Sequence, residues 1–180
     1  MSMREGVRLA LDWGTARIGV AACDRSAILA FPVTTLTAGP TFWEAISRLV
    51  DEYEPLEVLV GLPVALSGRE ELAARSVGEV ADELAARLAP LPVRLVDERM
   101  SSAAAHRSLA SAGRRSRERR SVIDQAAAAA ILETALAYEQ RTGTPPGRLV
   151  EVAAPSSGAA VASPEEPPVP GPTTDVRTPE

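Results

Sequence analysis

Leu9-Ala10-Leu11-Asp12-Trp13-Gly14-Thr15-Ala16-Arg17-Ile18-Gly19-Val20 reads as an apolar strand carrying one carboxylate near its end, then a tight turn and a second apolar run. Burying an ionised carboxylate is costly unless a cation or a donor compensates it. Gly14 and Gly19 permit the turn, and Ile18 to Cys23 completes a hairpin. An acid at the end of a first strand, beside a glycine turn, suits a site for a metal ion or a phosphate. It equally suits an Asp that caps the turn by accepting bonds from nearby backbone N–H groups. The segment alone leaves both readings open.

Outward from this hairpin, Ala27 to Leu36 is expected to form a third strand, with Pro32 tolerable at an edge or a bulge. Phe42, Ile46, Leu49, Val50 and Tyr53 share one face of a helix that must end before Pro55. Leu56 to Leu62 is short, apolar and β-branched, as expected of a strand covered on both faces, and Gly61 and Pro63 close it. Ala73, Val77, Val80, Ala81, Leu84 and Leu88 mark a helix from about Glu70 to Pro90. Val93 to Val96 is another buried strand, ending in Asp97-Glu98-Arg99. Ser101 or Ser102 can cap a helix that stops near Gly113, and an arginine-rich connector leads to a last helix from about Val122 to Gln140. Opening strands in hairpins, then strands alternating with helices, predict an α/β fold with a mixed sheet and helices on its faces.

The chain has 180 residues, 46% of them hydrophobic, which suffices for one domain with a sizeable core. Residues 1–142 are expected to form that domain; residues 143–180, rich in Pro, Gly, Ser, Thr and Glu, are expected to be a disordered tail. No apolar run is long enough to span a bilayer and no signal-peptide pattern opens the chain, so a cytoplasmic protein with no membrane partner is expected. The single cysteine, Cys23, lies in an apolar run and reads as a core residue. A formal net charge of −5 argues against indiscriminate coating of nucleic acid while leaving room for local basic patches.

Sites in open α/β sheets form beyond the carboxyl ends of the strands. Asp12 ends one strand, and Asp97 and Glu98 end another. Asp124 falls in the first turn of the last helix, among alanines small enough to let that helix approach the sheet. Three converging carboxylates would repel one another unless cations were bound, and hard oxygen ligands favour Mg²⁺ or Mn²⁺. Taken singly, Asp124 is also a helix N-terminal Asp favoured by the macrodipole, and Asp97-Glu98-Arg99 a solvated strand end. Arg114, Arg115, Arg117, Arg119 and Arg120 precede Asp124 and are expected to hold a polyanionic backbone, with a solvated charge run as the plainer reading. Arg17 can steady a phosphate or pair with a carboxylate. His106 is expected at the surface, and Trp13 is expected to pack.

Four motifs occur here in the order of the YqgF (RuvX) family, which this sequence therefore resembles. They are Leu11-Asp12-Trp13-Gly14-Thr15-Ala16-Arg17-Ile18-Gly19-Val20-Ala21, Val60-Gly61-Leu62-Pro63, Asp97-Glu98-Arg99-Met100-Ser101-Ser102 and Ile123-Asp124-Gln125-Ala126-Ala127. The resemblance spans roughly Arg8 to Tyr138. It implies an RNase H-like fold: a mixed five-stranded sheet with antiparallel opening strands and helices on both faces. It implies a metal-dependent endonuclease that processes the 5′ end of pre-16S rRNA, with Asp12, Glu98 and Asp124 as catalytic, metal-binding acids. Structured RNA, meaning pre-16S rRNA within a pre-ribosomal particle, is the partner so implied, the protein itself being a monomer or weak homodimer. The alternatives are a Holliday junction resolvase acting on branched DNA and a noncatalytic ribosome-assembly or nucleic-acid-binding factor. An actin-like ATPase, suggested by Asp12-Trp13-Gly14-Thr15, would need a second related domain that this chain has no length to supply.

Overall fold

A computed structural model describes residues 3–63, 68–97 and 117–152. The strands are β1 (Arg8–Trp13), β2 (Arg17–Cys23), β3 (Ala30–Thr37), β4 (Glu57–Leu62), β5 (Val93–Asp97) and β6 (Arg148–Leu149). The helices are α1 (Thr41–Tyr53), α2 (Gly68–Leu88) and α3 (Arg117–Thr142). One sheet holds all six strands in the order β3-β2-β1-β4-β5-β6. The first three are antiparallel, β1, β4 and β5 are mutually parallel, and β6 returns antiparallel to β5. This is the expected mixed sheet with antiparallel opening strands, with a sixth strand at the far edge where five were expected.

Alternation along the strands splits the core into two layers. Leu9, Leu11, Ile18, Val20, Val58, Val60, Val93 and Leu95 pack with Phe42 and Ile46 of α1 and Val77, Ala81 and Leu84 of α2. Ala10, Ala21, Cys23, Leu59 and Val96 face the other way, against Ala128, Ile131, Leu132, Ala135 and Leu136 of α3. The second layer is built from smaller side chains, so α3 can lie close to the sheet. Pro32 sits on edge strand β3 beside a break in register, where its missing N–H costs no ladder bond. Helix α1 stops at Glu54, whose left-handed backbone (φ 42°) donates its N–H to the carbonyl of Val50 just before Pro55.

Two boundaries differ from the sequence reading. Helix α3 begins at Arg117 rather than near Val122, so Arg117, Arg119 and Arg120 are helical and not part of a connector. A first turn of charged residues has no apolar periodicity to announce it. The ordered body also continues past residue 142, ending no earlier than Val152. Gly143 closes α3 in a left-handed conformation (φ 68°), and β6 then pairs with β5. The Val150 N–H donates to the Val93 carbonyl, and the Val150 side chain is 4% exposed. Gly147 (φ 67°) makes this return possible, because a Cβ there would lie 2.2 Å from the Leu95 carbonyl oxygen. Of the Pro and Gly residues that resembled a tail, Gly143, Pro145, Pro146 and Gly147 form the connection between α3 and β6. Residues 153–180 lie outside the described residues.

A buried ionic cluster fixes the end of the sheet opposite Asp12. Arg8, fully buried at the start of β1, reaches Glu57 at 3.2 Å and Glu139 of α3 at 3.0 Å. Arg4 bridges the same two carboxylates, each at 2.7 Å, and Arg94 adds a third guanidinium to Glu57 at 2.9 Å. Burial alone would raise the pKa of Glu139. Hydrogen bonds from Arg4 and the charge of Arg8 outweigh it and hold the carboxyl below the ordinary value. The same bonds raise the pKa of Arg4 despite its partial desolvation.

A carboxyl whose folded pKa is depressed contributes stability above its unfolded pKa, about 4.3 for Glu, and loses it as pH falls through the folded value. Glu139→Gln is therefore expected to melt lower at neutral pH, by about 3 kcal/mol for a broken buried pair. It should also lose less stability than the parent between pH 5 and the acid limit, as read by thermal melts across pH. Truncation after Gly143 is expected to lower the melting temperature by the equivalent of about 2 kcal/mol, the burial of one Val side chain. Equal melting of the two chains would return the boundary to residue 142.

Candidate active site at the carboxyl end of β1

Asp12 is 6% exposed although it carries a carboxylate. It alternates with Ala10 along β1 and so faces the α3 side of the sheet. Its direct cross-strand partner is Gly19 of β2, which shares that face with Ala21. A Cβ on Gly19 would lie 2.0 Å from the backbone oxygen of Asp124 and 3.1 Å from the nitrogen of Gln125. The second turn of α3, where Asp124 lies rather than in the first turn as expected, therefore rests directly on the glycine beside Asp12. The Asp124 backbone thus lies against the residue paired with Asp12 across the strands.

Arg17 opens β2 two residues before Gly19, and its Nε donates to Oδ2 of Asp124 at 2.6 Å. The turn that delivers Arg17 is closed by the Gly14 N–H donating to the Arg17 carbonyl at 3.0 Å. A Cβ on Gly14 would lie 2.6 Å from that same carbonyl, so this glycine too is sterically required. Of the two readings open for Arg17, the structure displays pairing with a carboxylate. A hydroxyl cluster holds the next part of the helix. Ser121 donates its Oγ–H to Thr35 Oγ1 at 2.9 Å, Thr35 donates to the Ser121 carbonyl, and the Gln125 amide donates to both hydroxyls. Sequence reading missed Thr35 and Ser121, since isolated hydroxyls on an edge strand and a helix start follow no pattern.

Trp13 points to the opposite layer and packs edge-to-face on Phe42, ring centroids 4.9 Å apart. Cys23 is a core thiol that accepts the Arg8 N–H; burial pushes its pKa up, which keeps it protonated and unreactive. Gly61 of β4 lies opposite Val96 of β5, so the neighbouring parallel strand places no side chain beside Asp12 on this face. Among the described residues no group of three or more His, Cys, Asp or Glu side chains gathers. Glu98, Arg99, Ser101, Ser102, His106, Arg114 and Arg115 lie outside the described residues, as do the side chains of Arg117, Arg119 and Arg120. The structure thus brings together Asp12, Asp124 and Arg17 of the expected site.

A family model described as "RuvX: Holliday junction resolvase" matches residues 6–138. The chain belongs to this family. A Cutibacterium acnes protein is 56% identical over 131 residues, covering 73% of this chain and 82% of its own length. A Thermobifida fusca protein is 53% identical over 156 residues, covering 83% of this chain and 98% of its own. Both carry the name "Putative pre-16S rRNA nuclease". Among solved structures, the RuvX chain is similar to "T. thermophilus RuvC in complex with Holliday junction substrate", with a TM-score of 0.49, 17% identity and coverage of 81% of this chain and 99% of that one.

The Gly19 contact is directly testable in this RuvX chain. Gly19→Ala would drive a methyl group into backbone that cannot rotate aside, an overpacking worth about 1–3 kcal/mol or more. The expected outcome is a lower melting temperature together with loss of whatever chemistry needs Asp124 beside Asp12. A variant with the parent's melting temperature would mean that α3 does not sit on β2 as described.

Proposed function

We propose that this RuvX protein is a metal-dependent endonuclease that processes the 5′ end of pre-16S rRNA. The observation that carries the reading is Asp12, a buried carboxylate at the carboxyl end of β1, set against Asp124 across Gly19. The names of the relatives supply the substrate. Two carboxylates offering hard oxygen atoms in a partly enclosed corner are a donor set suited to Mg²⁺ or Mn²⁺ completed by water. Asp12 and Asp124 would hold the cations. Glu98, assigned by resemblance, would be the third acid, and the bare Gly61 leaves room on that side of Asp12. Cations bound there would supply an activated water and stabilise the leaving oxygen of a phosphodiester.

The protein's own groups set up the rest. Burial of Asp12 would place a bound cation in a low-dielectric corner, where it is held more strongly than at an open surface. The seat on Gly19 fixes Asp124 to backbone rather than to a flexible loop, which keeps the two acids in one geometry. Arg17, once released from Asp124, would contact a phosphate at the same place. Arg114, Arg115, Arg117, Arg119 and Arg120 would extend the cationic track along the RNA and supply salt-dependent affinity. No described helix is long and apolar enough to cross a membrane, in keeping with cytoplasmic work on a pre-ribosomal particle.

A second reading, resolution of branched DNA, is favoured by the description of the family model. The deciding experiment offers purified protein a pre-16S rRNA fragment, single-stranded RNA and a four-way DNA junction side by side, with Mg²⁺ or Mn²⁺. Cleavage is expected on the rRNA precursor and to depend on the cation. Preferential cutting of the junction would move the assignment to DNA, and binding without any cleavage would favour an assembly factor. Asp12→Asn keeps size and hydrogen-bonding capacity while removing the charge. It should drop cleavage to background with the melting temperature retained or raised; unchanged activity would remove Asp12 from the chemistry.

A further inference from the structure

The ion pair between Arg17 and Asp124 occupies both halves of the proposed site at once. Nε of Arg17 and Oδ2 of Asp124 are 2.6 Å apart, with the side chains 32% and 23% exposed. On the proposed function, on which this inference rests, a divalent cation needs Asp124 and a phosphodiester needs Arg17. A guanidinium held on a carboxylate repels a divalent cation approaching that same carboxylate. An arginine committed to Asp124 has likewise lost its fork of donors for a phosphate.

We propose that Arg17 and Asp124 form an exclusive latch: either a cation at Asp124 or a phosphodiester at Arg17 opens it, so each ligand prepares the site for the other. Until a ligand arrives, the pair compensates the charge of Asp124 on the sheet face that also carries Asp12. The first ligand to bind bears the cost of breaking the pair, and the second finds its partner already released. The coupling is positive and reciprocal.

The backbone confines the change to side chains. Arg17 is anchored by the Gly14 N–H bond to its carbonyl and by pairing with Thr37 of β3. Asp124 is anchored by its seat on Gly19 and by the Thr35–Ser121–Gln125 cluster around it. Asp124 has a short side chain on a fixed backbone and stays. Arg17 has a long, part-exposed side chain and can turn outward by rotamer changes alone. A metal-loaded, RNA-bound site thus differs from the free one by one arginine side chain, without movement of α3.

The test is a double-mutant cycle on RNA affinity with no metal present, which removes catalysis from the readout. The probe is a fluorescent single-stranded RNA oligonucleotide, bound to the full chain in a chelator and followed by anisotropy. The proteins are the parent, Arg17→Gln, Asp124→Asn and the double variant. With Arg17 held by Asp124 in the parent, Arg17→Gln should weaken binding less than about twofold. With the latch removed by Asp124→Asn, the same change should weaken binding roughly three- to tenfold, within the usual range of a coupling between neighbouring residues. Equal fold-losses in the two backgrounds would reveal independent charges and overturn the latch, as would a larger loss in the parent. Arg17→Met gives the same cycle if Arg17→Gln does not fold. Cleavage of the rRNA precursor with Mn²⁺ is measured in parallel on the parent. A coupled cycle without cleavage rejects the nuclease reading and keeps the latch; cleavage with an additive cycle does the reverse. No RNA binding by any of the four proteins overturns the phosphate half of the latch and with it the proposal.

Discussion

Helix α3 lies on β2 so closely that no side chain fits between Asp124 and Gly19, while its other end is tied by Glu139 to Arg4 and Arg8. These two attachments fix a helix of 26 residues at both ends across one face of the sheet. Between them the contact is made by alanines with a few larger side chains, which supply little area per residue but permit the short distance. The acids at one end of the strands and the ionic cluster at the other therefore share one rigid element. Exclusive hydrophobic packing would fix such a helix less sharply, since alanine surfaces can slide past one another. Paired charges and a steric seat define both its position and its rotation.

Much of this was legible in the residues, and the reasons differ by element. Strands β1, β4 and β5 are short apolar runs bounded by Gly, Pro or charge, a pattern with few competing interpretations. Asp12 announced itself as a charge inside such a run. The approach of Asp124 to it was suggested by the alanines that follow, but the decisive residue, Gly19, looked like a turn glycine when it is a docking surface for a helix. Nothing in spacing distinguishes those roles, because the contact joins residues far apart in sequence.

Other features left weaker traces. Arg4, Arg8, Glu57, Arg94 and Glu139 each look like an ordinary surface charge, and only folding shows that they meet. Strand β6 is two residues long and surrounded by turn residues, so composition made it resemble a tail. The first turn of α3 is Arg117-Glu118-Arg119-Arg120, which carries no apolar residue to mark the start of a helix. In each case the organising force is a long-range pairing or a backbone bond, neither of which leaves a local period.

The route of the chain after α3 has a consequence for handling the molecule. The segment running from Gly143 through β6 carries the backbone down the edge of the sheet, and Val152 emerges among Pro90, Leu91, Pro92 and Val93. That is the pole where the parallel strands begin, whereas Asp12 and Asp124 stand at the pole where they finish. A fluorophore or cross-linker placed at Val152 itself is therefore attached on the side turned away from the carboxylates, which leaves the acidic corner open to a large, bulky polyanion.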